Sequence, residues 1–300
     1  MNEKGLPRYR DLPDGDAVGL FGADDVLGSL NRLTPDRVRD AASLVRTGER
    51  YGLNAPLTWP DPPLYDRTPL RHTIYRTRLG NRDDYLDGFY PQASSQWDAF
   101  PHIEDPDVGF YNRQAPEHLG VDGWSRSAII GRGVLLDAES YFAELGTPLH
   151  WRTARRISVD DVRNILDAQA VAPQEGDIVL LRTGWTKGYE SASDLDRQEV
   201  VRDQTSPGLE GSPQMLELLW DWGVSAIASD NVSVEVLPPG EFTLHSHLLN
   251  RLGIPIGELW WLDDLAAACA RDGRYDFMVV SVPLNLPGGI GSPANAVAIR

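Results

Sequence analysis

Apolar and polar positions alternate in two different rhythms along this chain, and the change of rhythm divides it. Residues 1–30 are polar, with Gly and Pro spread through them, and predict an extended arm with little core of its own. Thr34-Pro35-Asp36 predicts a helix start: Thr caps, Pro suits the first helical position, and Asp favours the positive end. Apolar residues then recur at helical spacing to Val45. From Gly52 to Arg78 short apolar runs broken by Pro predict strands joined by turns. Residues 80–125 show almost no period, and a long irregular stretch inside a compact chain is more often functional than idle.

Order returns in the second half. Gly133–Asp137, Gly176–Gly184, Gly223–Ser229 and Tyr275–Ser281 read as buried strands. Helices are predicted from Ser158, a capping-box-like start, to Ala168, from Gln214 to Trp222, and from Leu259 to Ala270. A Gly/Pro loop and a short strand close the chain. The alternation predicts an α/β fold, with an N-terminal arm and helix (1–50) packing on one larger domain (51–300).

Composition narrows the function. The chain's 300 residues are enough for a core that needs no disulfide staples. A net charge of −16 argues against a nucleic-acid partner and against anionic membranes. The single cysteine, Cys269, excludes an internal disulfide framework and a Cys-rich zinc knuckle, and reads as a small buried helix residue. The N-terminus has no apolar signal core and no apolar run could span a membrane, so the expectation is a soluble cytoplasmic protein.

His-Glu-x-x-His, Gly-x-Ser-x-Gly and Gly-x-Gly-x-x-Gly are all missing, which argues against a zinc protease, a serine hydrolase and a dinucleotide fold. The tail Pro287-Gly-Gly-Ile-Gly-Ser-Pro293 lacks the Lys and following helix of a phosphate loop, and reads as a tight turn that could line a site. His245 and His247 would share a face on a strand and diverge on a helix. The richest cluster is Gln92-Ala-Ser-Ser-Gln-Trp-Asp-Ala-Phe-Pro-His102. Gln92, Gln96 and Asp98 offer oxygens, and Gln96 and Asp98 point the same way in an extended segment. From the residues alone the cluster is either a polar loop with an Asx turn or one side of a metal site.

That cluster resembles the metal site of the putative cyclase family, whose members include bacterial kynurenine formamidase and isatin hydrolase. The family pattern His-x-Gly-Thr-His-x-Asp-x-x-x-His falls on Gln92, Ser94, Ser95, Gln96, Asp98 and His102, with glutamines in place of the first two histidines. Longer members carry a Gln-x-Ser-Thr-Gln-Trp-Asp-Ala-x-x-His variant that this chain closely resembles. The likeness continues through Leu27–Pro35, Arg132–Asp137, Gly176–Trp185, Ala228–Asn231, His245–Leu249, Gly257-Glu258 and Gly288–Pro293.

The resemblance implies a mixed β/β/α fold of the swivelling, kynurenine formamidase-like type, assembled as a homodimer or homotetramer. It implies one divalent ion held by Asp98, His245 and Glu258, with Gln92 and Gln96 at the positions of ligand histidines and His102 as proton shuttle. The amide oxygens harden the donor set, so manganese, zinc or magnesium enters the expectation. The implied reaction is hydrolysis of an amide, imide, lactam or lactone in a small aromatic substrate, by an activated water with His102 as general base and acid. A cyclase or dehydratase, and a metal-free relative without catalysis, stand as alternatives. Phe89, Trp97, Phe100 and Trp185 could form a flat apolar wall for the substrate or could be core packing.

Overall fold

The computed structural model describes residues 5–300. In chain order the elements are α1 (Pro35–Ala42), β1 (Arg50–Gly52), β2 (Arg71–Arg76), β3 (Arg82–Asp87), β4 (Gln96–Asp98), α2 (Val121–Ser127), β5 (Ile129–Asp137), α3 (Ala138–Glu144) and β6 (Arg156–Ile157). There follow α4 (Val159–Ala168), β7 (Ile178–Arg182), α5 (Trp185–Glu190), α6 (Asp194–Arg202), β8 (Gly208–Leu209), α7 (Pro213–Trp222) and β9 (Ala226–Ser229). The chain ends with α8 (Leu244–Ser246), β10 (Ile256–Glu258), α9 (Asp263–Asp272), β11 (Asp276–Ser281), β12 (Gly291–Pro293) and β13 (Ala296–Ile299).

A mixed sheet of nine strands, in the order β1-β13-β11-β5-β7-β9-β10-β4-β12, carries the fold. Its centre, β5-β7-β9-β10, is parallel, and the strands to either side are antiparallel. β7 and β9 are buried along their whole length, as expected of parallel strands covered on both faces. Local chemistry starts the helices where the sequence predicts. The Thr34 hydroxyl accepts from the Arg37 amide at the start of α1, and Ser158 and Asp161 form a reciprocal capping box on α4. Asp137, the acid closing β5, accepts from the Ser140 amide and starts α3. α1, α3 and α4 pack on β5, β7 and β11.

Some expectations are corrected. Residues 5–30 are not an extended arm, and the first four residues of that expectation lie outside the described residues. Residues 5–30 fold into short 3-10 turns that bury Leu12, Ala17 and Leu30 in the main core and hydrogen-bond Ala17 and Ser29 to Arg251 and Gly253. Gly28 is needed there: at φ 58° a Cβ would sit 2.3 Å from the Gly253 carbonyl oxygen. The strands expected over Gly52–Arg78 reduce to β2 and the end of β1, because Pro56, Pro60, Pro62, Pro63 and Pro69 remove ladder donors between them. The last helix begins at Asp263, not Leu259, because β10 runs to Glu258 and Leu259 turns the chain at φ 57°. Cys269 is buried on α9, and burial pushes its thiol pKa up to about 12.

Candidate metal centre

β4 is three residues long and lies between β10 and β12. Strand alternation sends Gln96 and Asp98 to one face and Trp97 to the other. Antiparallel register sets Glu258 of β10 directly opposite Gln96. Gln96 Nε2 donates to Glu258 Oε2 at 2.5 Å. His245 comes from the far side of the chain, on α8, where the helical backbone separates it from His247. His247 turns its Nδ1 toward the Thr243 carbonyl and opens a single π-helical turn, a feature that often marks functional positions.

These elements bring charged and polar groups to one buried point. His245 Nε2 lies 3.6 Å from Asp98 Oδ2 and 3.5 Å from Glu258 Oε1. His102 Nε2 lies 4.0 Å from Asp98 Oδ1. Asp98, His102 and His245 can each offer one ligand atom such that all lie within 4.8 Å of one another. The Gln92 amide nitrogen donates to Asp98 Oδ1 and lies 2.9 Å from His102 Nδ1. Gln92, Gln96, Asp98, His102, His245 and Glu258 are therefore neighbours, although more than 150 positions separate the ends of the set in the chain.

The cluster sets two buried carboxylates, Asp98 and Glu258, against the imidazoles of His102 and His245. Burial and the neighbouring Asp98 charge push the Glu258 pKa well above the carboxylate range. Burial also opposes ionisation of Asp98, but His102, His245 and Gln92 outweigh it and hold its pKa low. Against its own desolvation, His245 is raised to about 10 by Asp98, Glu235 and Glu258. Burial lowers His102, which keeps its imidazole neutral near pH 7. Asp98 Oδ2 and Gln96 Oε1 are buried with no hydrogen-bond partner. Buried polar atoms are almost always paired, and a divalent cation would satisfy both and neutralise the two carboxylates. The residues present thus fit a metal ion of mixed nitrogen and oxygen ligation.

A cleft of about 440 Å³ opens onto the cluster. Its walls are not those expected. Trp97, Phe100 and Trp185 are each 0% exposed and belong to the core. Trp97 packs on Trp260 and donates to Ser281, Phe100 packs on Tyr111 and Trp124, and Trp185 stacks on Tyr189. Phe89 borders a separate, small crevice beside Trp59. The expected aromatic wall is thereby corrected: the apolar lining comes from Tyr65, Ile103, Val232, Leu237 and Pro239.

Two further groups escape the sequence reading. Glu235 accepts from the Leu244 and His245 amides at 2.9 and 3.1 Å and lies 3.5 Å from His245 Nδ1, so it holds the imidazole from behind. It sits ten positions before His245 with no motif to announce it. Arg67 lines the cleft and donates to the Gln92 carbonyl. No helix among the described residues is long and apolar enough to cross a membrane.

Comparison with known proteins bears on the family and the fold. The sequence profile of the putative cyclase family matches residues 53–236. A crystal structure of a novel cyclase superposes with a TM-score of 0.84 at 29% identity, covering 95% of this chain and 99% of that one. Isatin hydrolase A from Labrenzia aggregata, bound to benzyl benzoate, superposes with a TM-score of 0.58 at 16% identity, covering 90% and 98%. A predicted metal-dependent hydrolase from Bacillus stearothermophilus superposes with a TM-score of 0.52 at 17% identity, covering 84% and 98%. At such identities the last two speak to fold alone. No curated protein matches the chain in sequence.

Proposed function

The chain belongs to the putative cyclase family, and from that premise we propose that it is a metal-dependent hydrolase of an amide, imide, lactam or lactone bond in a small substrate. The observation that carries this reading is the convergence of Asp98, His102 and His245 on one buried point at the foot of a cleft, beside the unpartnered Asp98 Oδ2 and Gln96 Oε1. Asp98, His245 and Glu258 would hold a divalent ion, and the unpartnered Gln96 Oε1, or a half-turn of the Gln92 amide, would add a neutral oxygen. Such an oxygen-rich set suits manganese, zinc or magnesium. The ion supplies Lewis acidity toward a carbonyl oxygen and toward water.

The chain's own residues do the rest. His102 is partly exposed, and burial keeps it neutral, so it can take a proton from water and return it to the leaving group. Gln92 controls which nitrogen does so. With its amide nitrogen toward Nδ1, the His102 proton sits on Nε2; with the amide turned over, Nδ1 carries it and Nε2 becomes the free base. Glu235 orients His245, and the apolar lining excludes water from the bound substrate's far side.

The test has two parts. Protein purified without chelator should carry about one divalent ion per chain by mass spectrometry, as a single-site cluster requires. Incubated with N-formylkynurenine, isatin and simple lactones, it should release acid from at least one of them. Metal-free protein from such a preparation, inert after manganese and zinc are added back, would overturn the reading.

A further inference from the structure

Tyr65 and Arg67 line the cleft from a segment in a conformation that side-chain-bearing residues rarely adopt. Tyr65 and Asp66 lie consecutively at φ 58° and 56°. The turn is fixed across the cleft by the Tyr65 hydroxyl, which donates to the Val232 carbonyl at 2.8 Å. Its result is to place Arg67 on the cleft wall, with its guanidinium carbon 5.0 Å from the Tyr65 ring centroid.

Arg67 is the only Lys or Arg lining this cleft among the described residues. It spends one N–H on the Gln92 carbonyl. No carboxylate among the described residues lies within 4.0 Å of it. The nearby acids are otherwise engaged: Glu258 with Gln96 and His245, Glu235 with the start of α8 and His245. In a chain of net charge −16, a half-buried arginine without an ion pair, facing a cavity, is a group waiting for an anion. A guanidinium fork matches a carboxylate in plane and spacing, and it stays charged at every working pH.

We propose that Arg67 selects substrates that carry a carboxylate, so that the cleft takes an acyl compound with an acidic group at one end and its scissile bond toward Asp98 and His102. The assignment of a scissile bond rests on the hydrolase reading; the anion site does not. Val232, Leu237 and Pro239 supply the apolar surface for the body between the two ends.

Benzoate and benzamide, equal in shape and different in charge, are suitable probes, with binding measured by calorimetry on the purified protein with its metal. Wild type should prefer benzoate by about tenfold or more, the usual scale of a charge-assisted bond. Arg67→Gln should erase the preference with metal content unchanged. An unchanged preference in that variant, or none in wild type, overturns the proposal. Should Arg67→Gln not fold, Arg67→Lys decides: a preference cut several-fold supports the fork, and an unchanged one rejects it. The same titration on Asp98→Ala protein separates the two claims. An Arg67-dependent preference that survives there makes the arginine the receptor; one that vanishes makes the ion the receptor and refutes Arg67. If wild type carries no metal yet shows the Arg67-dependent preference, the hydrolase reading fails and the anion site stands.

Discussion

Asp98 is 0% exposed, yet one of its oxygens finds no donor, and a buried polar atom left unpaired costs roughly 1–3 kcal/mol, more when charged. A bound cation offsets that cost, so Asp98→Ala should lose both metal and hydrolysis, whereas His102→Ala should keep metal and lose about a hundredfold or more in turnover. Metal analysis and initial rates on the two variants check this, and wild-type occupancy in Asp98→Ala would remove Asp98 from the site. Glu235→Gln keeps a carbonyl oxygen for one amide but gives up the charge behind His245. Metal affinity, read by competition with a chelating dye, should drop about 10- to 100-fold, the scale of groups that orient a ligating histidine. An unchanged affinity would make Glu235 merely a cap of α8. Part of this site was legible residue by residue and part was not. The alternation that places Gln96 and Asp98 on one face also forces Trp97 onto the other, so its absence from the cleft follows from the same argument that finds the ligands. Glu235 follows from nothing local, since its role exists only once α8 returns over β4 and β10.

At the scale of elements, the strands and helices with strong local chemistry were readable: the buried runs of β7 and β9, and the caps of α1 and α4. The short ones were not. β4 and β10 have three residues each, too few for a period, and gain their register from each other and from the flanking β9 and β12. α5 and α6 were hidden because one runs straight on from β7 through a single glycine turn and the other is mostly polar. The glycine-rich tail belongs with β4. Gly291 pairs with Asp98, and a Cβ on it would lie 2.3 Å from Gln92 Cγ and 2.8 Å from the Trp97 carbonyl oxygen. Gly291→Ala should therefore push Gln92 off Asp98 and His102. We expect a stability loss of roughly 1–3 kcal/mol, as for other overpacked sites, accompanied by weaker metal binding. Chemical denaturation and metal competition together check this, and a variant destabilised but binding metal normally would show that Gly291 serves packing alone.

For the molecule as a whole, two features bear on solution behaviour. Asp230 is buried on the loop after β9, where its carboxylate accepts from the Thr183 amide and hydroxyl and from the Gly184 amide. Burial raises its pKa from 3.8 to about 7. The folded state thus binds a proton that the unfolded chain releases, and stability from this group is present below the unfolded pKa and is lost as pH rises toward 7. Compared with Asp230→Asn, wild type should lose folding stability between pH 4 and 7 in chelator-free urea titrations. Parallel curves for the two proteins would show that Asp230 does not titrate in that window.

The second feature is the β2–β3 ribbon. Its register puts Tyr75 and Tyr85 on one face and Ile74 and Leu86 on the other, and all four are 43–60% exposed. Antiparallel sheets usually bury one face, and a lone two-stranded ribbon is marginal in water. Leu79 at its tip is 88% exposed. Charge does not explain the ribbon's stability, since its ion pair, His72 with Asp84, is itself exposed and such pairs contribute little. Both faces of the ribbon therefore present apolar groups open to a second surface. The strands differ in net charge: Arg71 and Arg76 lie on β2, and Asp83, Asp84 and Asp87 outnumber Arg82 on β3. A second copy of this ribbon, laid with its basic strand toward the acidic one, satisfies both the apolar faces and the charge. We propose that the chain works as a homodimer or homotetramer through this ribbon. Light scattering after gel filtration should give at least twice the monomer mass of 33.2 kDa. Ile74→Ser with Tyr85→Ser should shift it to monomer while metal content stays at the wild-type level, because the ribbon contributes no side chain to the ligand cluster. A wild-type monomer at micromolar concentration would leave the ribbon unexplained by self-association and would refute this part of the reading without touching the metal centre.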